Sequence, residues 1–466
     1  MNRSLMVAAS LATLTLVSLV FMASCGAGPV NGTTTTTGAG TTVTTAGGTN
    51  TTGVTAAMKD GVLIAASDLT RVTTSAPRAD VDSAAASMGA FGADLYGILA
   101  QRAGQGNLVF SPASIEIALA MTYAGAKGDT AAEMAATLHF KLQGDALHQA
   151  FNSLDSLLES RSWQGKDDDG KDVGVLVKTA NSLWAQKDLT FEKLFLDTLA
   201  KDYAAGVRLV DYKTAAEDAR KTINTWVAGQ TNNKIAELIP SGALNSLTRL
   251  VLVNAVYLDA TWANQFDKDS THDGSFTTLA GTPVTTPMMS QSSVFAYGKG
   301  DGWQAIELPY VQNRLAMLLI VPDQGKFADV QAQLKSGLVD QAAASLGAPA
   351  EVQLTMPKFK FRTQSALADA LKTLGMKKAF DDTAADFSGM TTQEKLCISD
   401  VIHEAYIAVD EKGTEAAAAT AVIMRTMSMP MPAQQLTIDR PFLFALRDKD
   451  TGAVLFLGRV TDPTAQ

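Results

Sequence analysis

From Glu411 to Leu436 the chain reads EKGTEAAAATAVIMRTMSMPMPAQQL, and the run before it, LCISDVIHEAYIAV, has the make-up of a strand. Four consecutive alanines favour a helix by intrinsic propensity and are poor sheet formers. Yet the segment also has a strand's parity, since side chains of a strand alternate between two faces. One face carries Thr414, Ala416, Ala418, Thr420, Val422 and Met424, with no charge and no large polar group. The other carries Glu415, Ala417, Ala419, Ala421, Ile423 and Arg425, and is expected toward solvent. A segment that is loop or helix in one state and a strand with one face in a core in another satisfies both signals. Its small side chains would let it slip between strands already in place.

The 466 residues suffice for one large domain or several small ones, and 46% are apolar, enough for a substantial core. A net charge of −9 argues against nucleic acid as a partner. Two cysteines, Cys25 and Cys397, and four scattered histidines offer neither a disulfide framework nor metal-ligand spacing, and no cofactor is expected. The N-terminus has a basic start at Arg3, an apolar stretch and small residues ending at Cys25. Met22-Ala23-Ser24-Cys25 resembles the lipobox of bacterial lipoproteins. That implies a signal peptide over residues 1–24, a lipidated Cys25 and a place in the bacterial cell envelope, facing outward. An ordinary secretory signal and an extracellular protein are the alternative. Residues 25–82, rich in Thr and Gly, are expected as a disordered tether, spanning roughly 40 Å as a random coil.

From about Ser83 the sequence turns globular. SPASIEIALAMTYAGA opens like a helix; VGVLVKTANSLWAQ and TRLVLVNAVYLDATW read as strands, the second apolar on both faces; PFLFALRDKDTGAVLFLGRV reads as a hairpin around Asp450-Thr451-Gly452. Helices dominate early and strands late without a βαβ rhythm, which predicts the α+β class. No nucleophile elbow, phosphate loop, dinucleotide fingerprint or zinc helix motif occurs. Asp167-Asp168-Asp169-Gly170 lacks the alternating ligands of a calcium loop.

Five segments, in order, resemble the serpins, a family of serine protease inhibitors: NLVFSPASIEIALAMTYAGAKGDTAAEM, LVNAVYLDATW, LCISDVIHEAYIAV, EKGTEAAAATAV and DRPFLFALRDKDTGAVLFLGRVTDP. The resemblance covers about residues 83–464. It implies a large central, mainly antiparallel sheet with smaller sheets, about nine helices and an exposed reactive-centre loop over about 411–436. It further implies a monomer that is not an enzyme: a serine protease attacks the loop, the cleaved loop inserts into the sheet, and the protease stays trapped in a covalent complex. The hinge would be Glu411, Gly413, Thr414, Glu415, Ala416, Ala417, Ala418 and Ala419. Counting from Gly413 places the reactive bond at Met427–Ser428, suiting an elastase-, chymotrypsin- or subtilisin-like target. Arg425 is the alternative, with a trypsin-like target, and a non-inhibitory carrier or chaperone is the second. Ser111, Ser114, Asn254, Trp262 and His403 match the family's support for sheet opening. Two departures stand out: Asp410 replaces the usual Asn, and LDATW replaces a more typical Phe-Lys-Gly segment.

Overall fold

Residues 54–167, 170–414 and 434–465 are described by the computed structural model, all within the unit Thr42–Gln466. The main sheet comprises β1 (Val54–Lys59), β2 (Val62–Ser67), β3 (Asp172–Gln186), β4 (Val207–Val210), β5 (Leu250–Thr261), β6 (Phe359–Ala366), β7 (Asp400–Val409) and the two-residue β8 (Gly413–Thr414). Their spatial order is β1-β2-β4-β3-β5-β8-β7-β6, and Trp163–Lys166 adds a ninth strand beside β3. Neighbours are antiparallel except β3–β4 and β5–β7. A second nine-stranded sheet runs from Gln434–Thr437 at one edge to Leu108–Phe110 at the other, and contains the expected closing hairpin, Phe442–Asp448 with Val454–Val460. With nine α-helices among the described residues, the class is α+β.

The helices that position the site are α1 (Arg78–Ala103), α2 (Pro112–Tyr123), α3 (Gly144–Glu159), α4 (Lys193–Tyr203) and α5 (Tyr212–Gln230). Ser111 caps α2 by accepting from Ser114 N–H, and Pro112 fills the first turn, where its missing N–H costs nothing. α2 is apolar around nearly its whole circumference because it lies inside the molecule, beneath the main sheet. β5 is likewise buried on both faces. Leu252, Val256, Leu258 and Ala260 face the large core. Val251, Val253 and Ala255 face a smaller core closed by Ile223, Trp226 and Val227 of α5.

The structure corrects the expected tether. Residues 54–67 form the β1–β2 hairpin, and β2 pairs with β4 in the register Leu63↔Leu209, Ile64↔Arg208, Ala65↔Val207. The turn is Asp60-Gly61, with φ of 53° and 75°. Asp-Gly between apolar runs is a hairpin signal that the surrounding Thr/Gly composition masked. α1 then begins at Arg78, before the expected Ser83. Cys25, the leader and residues 26–53 lie outside the described residues, as do Glu415–Ala419, Arg425, Met427 and Ser428.

α1 crosses α2 so closely that a Cβ on Gly92 would meet the Pro112 ring at 2.7 Å. One turn further along α2, Glu116 is fully buried with neither carboxyl oxygen hydrogen-bonded. Burial raises its pKa well above 4.5, so the folded carboxyl keeps its proton where the unfolded one has lost it. The native state therefore loses stability as the pH rises above that value. Glu116→Leu is expected to stabilise the native fold by about 1–3 kcal/mol at neutral pH. Glu116→Gln should flatten the alkaline fall of the thermal midpoint, measured across pH 5–9; an unchanged slope would place the titrating group elsewhere.

Candidate functional site

The main sheet is forked. From Asp400↔Val251 to Ala405↔Val256, β7 and β5 pair directly and in parallel. Four rungs higher they no longer touch as partners: Thr414 of β8 stands between them, opposite Val409 on one side and Ala260 on the other. The chain leaving β7 thus turns back and starts a new strand inside the sheet, antiparallel to both neighbours. Only a glycine can begin it, because a Cβ at Gly413 would collide with the Ala260 carbonyl oxygen.

The turn into the fork is held from several directions. Asp410 Oδ1 accepts from the backbone N–H groups of Lys412 (2.9 Å) and Gly413 (3.3 Å), so the carboxylate at this departure from the family pattern closes the turn itself. Trp262 donates its backbone N–H to Lys412 O (2.8 Å) and its indole N–H to Asp410 O (3.0 Å). Glu411, 4% exposed, accepts from Lys358 Nζ (2.8 Å) and Thr271 Oγ1 (3.0 Å). Burial alone would push the Glu411 carboxyl up, but these donors outweigh it and hold the pKa below the ordinary value. Thr414 Oγ1 bonds the Tyr310 hydroxyl at 2.7 Å, and the Tyr310 ring stacks on Trp262 at 4.5 Å between centroids. The hinge residues Glu411, Gly413 and Thr414 and the support residue Trp262 are thereby brought together. Tyr310 and Lys358, which complete this anchorage, carry no local sequence signal; each is recognised only by what it reaches.

Below the fork, one rung of the sheet carries a polar cluster. Asn181 of β3, Asn254 of β5 and His403 of β7 lie side by side in register, all pointing at the start of α2. Ser111 N–H donates to His403 Nε2 (3.1 Å), which leaves Nδ1 to carry the proton and donate to Asn254 Oδ1. Asn254 Nδ2 donates to Ser114 Oγ (2.6 Å) and Asn181 Oδ1 (2.5 Å), and Ser114 Oγ donates to Asn181 Oδ1 (2.6 Å). Every group in the ring of contacts has a consistent role, as a buried network requires. Four of the five members, Ser111, Ser114, Asn254 and His403, are legible in the sequence; Asn181 is not, since it sits in a half-apolar strand and is identified by cross-strand register alone. Full burial lowers the His403 pKa to about 3, so the imidazole is neutral.

The opposite face of this lower region is not open to solvent, contrary to expectation. α5 and the segment after it, with Ile235, Leu238 and Ile239, cover Val251, Val253, Ala255 and Ile402. Glu404 is 3% exposed there, and burial raises its pKa to about 7 despite Arg362 at 3.6 Å. Toward the fork the cover ends: Asp259 and Ala408 are half-buried.

At one end of the sheet β8 has begun between β5 and β7, and below it a polar cluster crosses the paired rungs; the comparisons give the family. A family model described as Serpin (serine protease inhibitor) matches residues 86–463. A serpin-like protein of Thermococcus kodakarensis is 39% identical over 373 residues, 79% of this chain and 83% of that protein. The leukocyte elastase inhibitor of Homo sapiens is 37% identical over 383 residues, 80% of this chain and 97% of the inhibitor. The crystal structure of Serpin48, a highly specific serpin of the insect Tenebrio molitor, superposes with a TM-score of 0.72 at 29% identity, covering 81% of this chain and 98% of that one. The chain belongs to the serpin family.

Because unfolded histidine takes up its proton near 6.5 and folded His403 only near 3, the native state loses stability as the pH falls through that window and none above it. His403→Gln should reduce this acid slope of the thermal midpoint. Asn254→Ala strands His403 Nδ1–H in a buried site and takes the donor from Ser114 Oγ, and should cost about 2–4 kcal/mol at pH 7.5; a loss below the error of the melt would show that the cluster does not hold the rungs closed.

Proposed function

We propose that the chain is a suicide-type inhibitor of serine proteases, cleaved at Met427–Ser428 and trapping the acyl-enzyme by inserting its loop into the main sheet. The fork carries this reading, because it fixes the register any inserted strand must take. Thr414 lies opposite Ala260 and Val409. Each later residue therefore falls one rung lower on both neighbours. Ala416 and Ala418 descend on the core-facing side, and Thr420 arrives at the rung of Asn254 and His403. Insertion would move that pair apart by one further strand spacing, about 4.8 Å, and break the Nδ1–H to Oδ1 bond. The Thr420 hydroxyl, a donor and an acceptor, is suited to bridge the two.

The odd-numbered residues meet a different environment. Glu415 falls beside half-exposed Asp259 and Ala408, where a charge is tolerable. Ala417 falls between Tyr257 and Tyr406, Ala419 between Ala255 and Glu404, and Ala421 between Val253 and Ile402, all buried. Both faces of the incoming strand must be small, which accounts for four consecutive alanines better than a single buried face does. Met427 fits an elastase-, chymotrypsin- or subtilisin-like pocket. Cleavage after Arg425 would shorten the inserting arm by two residues and suit a trypsin-like enzyme.

A protease panel tests the proposal. Elastase- or chymotrypsin-like enzymes should give a denaturant-stable covalent complex, with mass spectrometry placing the cut after Met427. Ala418→Glu and Ala419→Glu should both convert inhibitor to substrate, since a lone buried charge costs several kcal/mol, whereas Glu415→Arg should trap nearly as well as wild type. Cleavage without complex would favour a carrier or chaperone, cleavage after Arg425 the trypsin-like alternative, and tolerance of Ala419→Glu would remove the role given to the α5 cover.

We further propose that Cys25 is lipidated and holds the domain on the outward side of a bacterial envelope, the apolar leader and the Met-Ala-Ser-Cys string being the support. Stable anchoring takes more than one acyl chain. Cys25→Ser should move the protein from the membrane to the soluble fraction with its association rate unchanged; retention on membranes would overturn the anchor.

A further inference from the structure

A cavity of about 250 Å³ lies beneath the main sheet, between α2, α3 and β3. Register shows which side of the sheet it is on. Val177 and Thr179 of β3 stand opposite Leu258 and Val256 of β5, which face the large core, so both point into the body of the molecule. Even so, Val177 is only half-buried and Thr179 is exposed, because the space in front of them is the cavity. Two carboxylates border it. Asp155 and Glu159 stand four residues apart on α3 and so share one face of that helix. Arg71 donates to one oxygen of each, Asp155 Oδ2 (2.7 Å) and Glu159 Oε2 (2.9 Å). Among the described residues the other two oxygens, Asp155 Oδ1 and Glu159 Oε1, accept no hydrogen bond. The Asp155 side chain is 12% exposed and that of Glu159 58%, which puts the first in the cavity wall and the second at its mouth.

The chemistry of the walls narrows what the space can hold. One guanidinium serves two carboxylates, and burial together with the Glu159 charge outweighs Arg71 and raises the Asp155 pKa to about 6. That end is short of positive charge. Lys178 does not supply it, since it points to the opposite face of β3, where Nζ donates to Asn232 Oδ1 (3.3 Å). The remaining walls are largely apolar, with Ile117 of α2, Leu158 of α3, Val256 of β5 and Leu455 of the closing hairpin. A dry cavity of about 150 Å³ takes up benzene, so this one has room for a ring and a short arm. A calcium ion would want about six to eight oxygens around it, which apolar walls do not provide, whereas an ammonium needs only the two acceptors at one end.

We propose that this cavity binds a small organic cation, a primary ammonium on a compact apolar body, with its charge on Asp155 and Glu159 and its body against α2 and β5. The proposal does not depend on strand insertion. It is tested by calorimetric titration of the full chain at pH 7.5 with three probes of one shape: phenethylamine, which is protonated, phenethyl alcohol, which is neutral, and phenylpropionate, which is an anion. Phenethylamine should bind at one site per chain, at least about tenfold more tightly than the alcohol, as a hydrogen bond to a charged group predicts. Phenylpropionate should not bind. Asp155→Asn should weaken phenethylamine binding about tenfold or more, and Glu159→Gln, at the mouth, should weaken it less. Thr179→Phe aims a ring into the space from an exposed position, away from the Arg71 contact. It should abolish binding of the amine while the thermal midpoint stays at the wild-type value. If Asp155→Asn does not fold, Glu159→Gln and Thr179→Phe decide. Equal affinity for amine and alcohol, amine binding that survives Thr179→Phe or is unchanged in a folded Asp155→Asn, or no binding of the amine at millimolar concentration overturns the site.

Discussion

The parallel pairing of β5 with β7 is the contact on which the rest of this molecule turns. It runs unbroken from Val251 to Val256 and stops short of Ala260, where Thr414 is already seated. Neither full closure nor full opening has been reached. Closure is blocked above by a strand that has begun, and opening is resisted below by paired backbone and by the bond from His403 to Asn254. Parallel pairs are somewhat weaker per residue than antiparallel ones, and an inserted strand would be antiparallel to both neighbours. Under the proposed insertion, the driving force would lie in backbone pairing itself.

Polar groups around the fork serve as position markers more than as sources of stability. Each is buried and each is satisfied: Thr414 on Tyr310, Glu411 on Lys358 and Thr271, His403 between Ser111 and Asn254. A misplaced hinge would strand one of them, at a cost larger than the bond was worth. Specific registers are chosen in this way where apolar packing alone would tolerate a slip, and a one-residue slip here would turn the whole loop inside out. Glu116 is the exception, a buried carboxyl with no partner in the helix beneath the sheet, and it marks a place where the native fold is left less stable than it could be.

The proposed insertion raises a mechanical question, which strands would shift and what would resist them. α5 lies over the lower rungs, so under the proposed insertion an entering strand would pass between it and the core. The chain before α1 joins one side of the fork to the body. Both bear on how far the main sheet could widen, because a sheet can widen only as far as everything packed on it allows.

Much of the site was legible in the sequence because it is local. The hinge string, the Ser-Pro opening of α2, the apolar strand 250–261 and the closing hairpin each depend on neighbours within a dozen residues, and the order of these motifs was enough for the family and the α+β class. Parity within the loop was also legible, since alternation is a property of any strand. The tertiary structure decided what lies on each side. Tyr310, Lys358 and Asn181 hydrogen-bond into the site across 53 to 104 residues, and nothing in their local sequence distinguishes them from ordinary strand residues. The hairpin at 54–67 was hidden by its composition, since β1 and β2 gain stability from β4, some 140 residues later, and not from themselves. The outer face of the loop was assigned to solvent because alternation counts two faces but does not say what covers them. That is set by α5, packed there by Trp226 and Ile223, and it is this long-range packing that prompts the proposal of small residues on both faces of the alanine run.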